Sequence, residues 1–199
     1  MSHRSLYRIA LAPMVLTAAL VLGGAAFADD AMPAGASGVK GEILMWIDDA
    51  QDKLTQLGEA IPESKYGWSP DKGVRTAGQI LMHVAAANYG VPSFIGVPAP
   101  AGFDFGTFEG SLTKKADILK SLKASFAHVD AAFKAMSDAD MDKPAEFFGM
   151  KTTRRGAFLL LLSHAHEHLG QEIAYARSIK VTPPWTAKQQ AEEAKAHKK

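Results

Sequence analysis

Apolar residues recur along this chain at spacings of three and four, the period of a helix with one buried face. From Val39 to about Ala60 they fall at Ile43, Leu44, Ile47, Leu54, Leu57 and Ile61, and Pro62 closes that segment. Residues 62–75 hold two prolines and two glycines and read as a loop. Thr76 and Gln79 then have the spacing of a capping box, which predicts a second helix from Ala77 to about Tyr89, stopped by Gly90 and Pro92. Residues 95–112 are rich in Gly, Pro and Phe and read as a long crossover. A third helix follows from Thr113 to about Met136, with Ile118, Leu119, Leu122, Phe126, Val129 and Phe133 on one side and lysines on the other. Residues 137–152 read as a connection, and a fourth helix runs from about Thr153 to Ile179, before Pro183 and Pro184. No run alternates long enough for a strand, and no Asn-Gly or Asp-Gly hairpin turn occurs. Four helices of this length with two long connections predict an all-α fold, a four-helix bundle. Connections this long also permit parallel neighbours.

The ends of the chain read differently. Residues 1–28 carry His3, Arg4 and Arg8, then an apolar run from Ile9 through Leu22, then Ala26-Phe27-Ala28, the three-part build of a cleaved secretory signal. Residues 29–37 read as a flexible lead-in, 38–185 as the bundle, and 186–199 as a polar, disordered tail. These readings predict an exported, periplasmic protein with no membrane attachment after cleavage. Removing residues 1–28 takes away two arginines and no acid, so the formal charge moves from +1 to −1. A near-neutral chain gives no reason to expect a nucleic-acid partner.

There is no cysteine among the 199 residues. That excludes disulfides, thiolate nucleophiles, Cys-type zinc sites and iron–sulfur clusters, and leaves metal chemistry to His, Asp and Glu. His164 and His168 stand one helical turn apart, the spacing at which two imidazoles can share an ion, and His166 points elsewhere. The ridge through the pair starts at Ala157 and Leu161, so the histidines lie on an apolar stripe, where imidazoles are costly to bury without partners. His83 sits on a similar stripe with Ile80, Val84 and Ala87. Three core-facing histidines on two helices of one bundle suit a metal site. Gln171 and Glu172 follow His168 by three and four positions and are the candidate catalytic residues, Glu172 either as a general base or as a solvated helix residue. Asn88 and Tyr89 are weaker candidates for a pocket mouth. His128 reads as packing or as a helix-surface residue, and periodicity does not settle which way His166 faces.

The stretches W-S-P-D-K-G-V-R-T-A-G-Q-I-L-M-H-V at 68–84 and H-A-H-E-H-L-G-Q-E-I-A-Y-A-R-S-I-K-V-T-P-P at 164–184 resemble the DinB-like (DinB/YfiT) family of metalloenzymes. The resemblance covers roughly residues 38–185. It implies an up-up-down-down four-helix bundle with a metal held by His83, His164 and His168, and a homodimer. The family's His-Arg-Gly-Gln is His168-Leu169-Gly170-Gln171 here, with leucine in place of arginine. The family is typically cytoplasmic, so an exported member departs from it, and the thiol-linked activity of its better-characterised members does not carry over. Three neutral imidazoles leave coordination positions open, as catalytic sites do, and suit a divalent ion such as Zn, Ni, Fe or Mn. Two functions follow as expectations: a metal-dependent hydrolase or group transferase acting on a small-molecule substrate, or a non-catalytic metal- or ligand-binding stress protein.

Overall fold

The computed structural model describes residues 38–197; the signal and lead-in readings lie outside the described residues. Four long helices carry the fold: α1 (Gly38–Ala60), α2 (Ala77–Ser93), α4 (Lys115–Ala135) and α6 (Arg154–Ser178). Between them lie the short helices α3 (Phe105–Phe108) and α5 (Asp138–Met141) and a hairpin of β1 (Pro144–Phe147) and β2 (Met150–Thr153); α7 (Pro184–Ala196) follows the bundle. α2 packs on α4 and α6, and α1 packs on the same two, so α1 faces α2 across the core.

Side-chain contacts fix the direction of each helix. A Cβ on Gly58, near the end of α1, would meet Leu119 at the start of α4 and Leu81 at the start of α2. Gly78 and Ile118 are neighbours at one end, and Asn88 reaches Ser125 further along, so α2 and α4 run parallel. Phe133 late in α4 stacks on Phe158 early in α6, which therefore runs back. Lys40 at the start of α1 donates to the carbonyl of Met136 just past α4, so α1 runs parallel to α6. Around the bundle, from α6 through α1, α4 and α2, the senses read up, up, down, down. Along the chain they read up, down, down, up, because the crossover 94–114 returns the chain to the end where α2 began.

Several expectations need correction. The second helix does not stop at Gly90 but continues to Ser93 with Pro92 inside it. A proline in the last turn forfeits one backbone bond and disturbs no further turn. Gly90 is there for closeness, since a Cβ would come within 2.8 Å of the Phe105 ring of α3. The connection 137–152 contains a helix turn and a two-stranded antiparallel hairpin with Phe147 opposite Met150. Its turn, Phe148-Gly149, has positive φ at both residues, a shape for which asparagine or glycine is the usual choice at the first position. The tail read as disordered is instead helical from Pro184 to Ala196. Its alanines, lysines, glutamines and glutamates are strong helix formers, Pro184 suits a first turn, and Trp185 anchors it against the core. No helix among the described residues is long and apolar enough to cross a membrane.

A candidate three-histidine metal centre

The capping box forms as the sequence predicts: the Thr76 hydroxyl accepts from the Gln79 amide, and the Gln79 side chain accepts from the Thr76 amide. It fixes the first turn of α2, and His83 follows two turns on. Thr153 caps α6 through the Gly156 amide, and that helix carries His164 and His168 to the level of His83. The three imidazoles converge, each offering a nitrogen within 4.8 Å of the other two. Their ring centroids lie 4.4 to 4.9 Å apart.

Hydrogen bonds settle which nitrogens face inward. His83 Nδ1 lies 3.0 Å from Glu109 Oε2. A carboxylate only accepts, so Nδ1 carries the proton and the Nε2 lone pair points into the cluster. His168 Nδ1 lies 2.9 Å from Gln171 Oε1, whose amide nitrogen is directed to the Tyr175 hydroxyl at 3.2 Å. The Nε2 lone pair of His168 is thereby freed as well. Nε2 of His164 lies 3.1 Å from Nε2 of His83. Nitrogens bound at 2.0–2.1 Å to one tetrahedral ion stand about 3.3 Å apart, so this pair is at ligand spacing. Burial and the neighbouring imidazoles push His164 down to about 4. Burial, chiefly, lowers His83 also. Both rings are therefore neutral near pH 7, the form that ligates. The inward lone pairs of His83 and His168, their outer protons held by a carboxylate and an amide, fit a divalent ion, and Nδ1 of His164 is buried without a partner.

Gln171 behaves as an orienting residue for His168. Glu172 is not solvated and bonds none of the histidines: it is wholly buried, and neither carboxylate oxygen has a hydrogen-bond partner. Desolvation pushes its carboxyl up to about 8. Its neighbourhood includes Tyr66, whose hydroxyl is pushed up by burial and then by proximity to Glu172. Asn88 is not at a pocket mouth; it is buried and donates to Ser125 Oγ at 3.1 Å between α2 and α4. Tyr89 packs edge-on against Phe103, Phe108 and His128. His128 thus packs rather than taking a helix-surface role. His166 faces the α1 side, edge-on to Trp46.

Sequence reasoning missed Glu109 and Arg75. Glu109 caps the end of α3 in the crossover, and its second oxygen accepts from Arg75 Nε at 2.7 Å. These two side chains border an open cleft of about 600 Å³, together with Gly73, Val74, Gln79 and Gln171. The cleft is thus bounded by the residues that hold the outer nitrogens of His83 and His168.

Comparison with known proteins places the chain in a wider group. The chain matches the family model described as the DinB superfamily over residues 47–171. A DinB-like protein from Bacillus cereus ATCC 10987 is 19% identical with a TM-score of 0.63, covering 73% of this chain and 95% of its own. The DinB-like protein YjoA from Bacillus subtilis is 19% identical with a TM-score of 0.56, over 71% and 93% of the two chains. YfiT from Bacillus subtilis, described as a probable metal-dependent hydrolase with an unusual four-helix bundle topology, is 17% identical with a TM-score of 0.58, over 72% and 89%. At such identities the likeness is one of fold. No curated protein matches the chain.

Proposed function

The chain belongs to the DinB superfamily, and on that premise we propose that it is an exported, divalent-metal-dependent enzyme that hydrolyses or transfers a group on a small molecule. The single observation that carries this reading is the convergence of the three histidines with two outer nitrogens already held by Glu109 and Gln171. A similar fold in a protein described as a probable metal-dependent hydrolase supports it. The leader-like residues 1–28 support export to the periplasm.

In this reading His83, His164 and His168 hold the ion, which is Zn, Ni, Fe or Mn. A divalent ion on three neutral imidazoles supplies Lewis acidity toward a carbonyl or phosphoryl oxygen and activates water near neutral pH. Glu109 and Gln171 keep the His83 and His168 rings in the tautomer that ligates and prevent them from rotating. Glu172, pushed up to about 8, holds its proton at neutral pH. It therefore enters as a proton donor rather than as the base its spacing suggests.

Elemental analysis with a thermal-shift series tests the reading. One equivalent of metal per chain is expected, together with a Tm that rises on adding the ion and falls on chelation, since binding to the folded state alone stabilises it by mass action. His164→Ala loses both effects. Substoichiometric metal, unchanged by His164→Ala, refutes the metal centre. Metal without turnover on a panel of small esters, amides and phosphoesters favours the storage or stress-binding alternative.

A further inference from the structure

The cleft beside the triad has an uneven hydrogen-bonding character. Its one carboxylate, Glu109, is used at both oxygens, by His83 and by Arg75. The Oε1 of Gln79 is spent on the Thr76 amide, so the end of that side chain left for a ligand is its NH2. Gln171 has its oxygen on His168 and its NH2 on Tyr175. Arg75 is bonded through Nε alone, and its Nη groups make no hydrogen bond among the described residues. Its side chain is 42% exposed at the rim, with its charge close enough to bear on both His83 and His164. The groups left free on the cleft side chains are therefore donors.

Charge points the same way. The three imidazoles are neutral ligands, so none offsets the charge of a divalent ion. The two charged groups beside them, Glu109 and Arg75, cancel one another. A cation in the triad would thus be uncompensated from the protein side, and its open positions select an anion. We propose that this cleft recognises substrates bearing a carboxylate, which Arg75 holds through its free Nη fork while a second oxygen of the substrate faces the histidines. The inference rests on the metal reading above and narrows its small molecule to a carboxylate-containing one. Arginine suits this task because its planar fork matches a carboxylate at two points, whereas lysine offers only a point charge. Glu109 then has two duties: it orients His83, and it orients the Arg75 guanidinium.

Malonate and its uncharged counterpart malonamide test the inference by equilibrium titration of the zinc-loaded protein, read by calorimetry and independent of turnover. Wild type is expected to bind malonate at least tenfold more tightly than malonamide. Arg75→Gln is expected to lose tenfold or more of the malonate affinity while keeping its zinc and its helical circular-dichroism spectrum. Arg75→Lys falls between them, since it keeps the charge and loses the fork. Equal malonate binding by wild type and Arg75→Gln, or equal binding of malonate and malonamide, overturns the carboxylate site and leaves the metal centre standing. Failure of wild type to bind one equivalent of any of Zn, Ni, Fe or Mn overturns the metal reading and this inference with it.

Discussion

Replacing Glu172 with glutamine separates two roles that one buried carboxyl could have. In the native protein this group is wholly buried with both oxygens unbonded, and its pKa is pushed to about 8 by desolvation. In the unfolded chain it returns to the ordinary value of 4.5. Below pH 4.5 both states are protonated and the group costs nothing through titration. Between the two values only the unfolded chain gives up the proton, so stability falls as pH rises, by about 1.4 kcal/mol for each pH unit. Above about pH 8 both states are ionised and the loss levels off. From pH 5 to pH 8 the cumulative penalty approaches roughly 4 kcal/mol, on the order of 10 °C in Tm for a domain of this size. Glutamine keeps the shape and never ionises. Its amide also lies unbonded, which shifts the whole curve by a constant but adds no slope. Urea denaturation of wild type and Glu172→Gln at pH 5, 6, 7 and 8 measures the difference directly. Contributions common to the two proteins drop out of that difference. The variant is expected to gain on wild type steadily with pH, by about 2–4 kcal/mol across the range. Parallel curves would refute the assignment of a desolvated, proton-retaining Glu172. A turnover loss in the same variant would in addition support Glu172 as a proton donor.

Glu109→Gln removes the carboxylate that holds the His83 proton; metal affinity is expected to drop about 10–100-fold, read by competition with a chromogenic chelator, with little change in the fold. His164 is held neutral down to about 4 while the unfolded chain protonates at 6.5, so the metal-free protein loses stability as pH falls through that window. His164→Asn is expected to flatten this acid limb in thermal melts at pH 4.5 to 7, and an unchanged limb counts against a buried neutral His164. Phe158 is fully buried and edge-on to Phe133 at 4.7 Å. Phe158→Ala is expected to cost about 3–5 kcal/mol in chemical denaturation, and a loss below about 1 kcal/mol would mean this end of the core is not packed as described.

What the sequence made legible follows from the range over which each device acts. The Thr76–Gln79 capping box and the His164–His168 pair are separated by three and four residues, distances at which helix geometry alone dictates contact. His83 required one step more: a shared apolar stripe on a second helix, which places it in the core without saying what it meets there. Glu109 offers no such handle. It stands 26 residues from the histidine it orients, on an aperiodic crossover, and only the return of that segment across the end of α2 delivers it. Arg75 is hidden for a related reason, since its significance depends wholly on Glu109. Glu172 failed in the opposite sense: its spacing from His168 was legible, and its complete burial was not, because a carboxyl without partners is the arrangement that energetics argues against. The hairpin was concealed by its own turn, where Phe148 occupies a left-handed position with φ 51° that a sequence reading reserves for glycine or asparagine. In the tail, composition misled and local propensity was the better guide, since Gln189 and Glu193 pair one turn apart along a run of strong helix formers. The apolar scaffold was thus written in short-range periodicity, whereas the polar groups that complete the site were brought in by loops. Arg75 and Glu109 lie on those loops, and the carboxylate proposal therefore depends on tertiary contacts that no spacing rule in the sequence supplies.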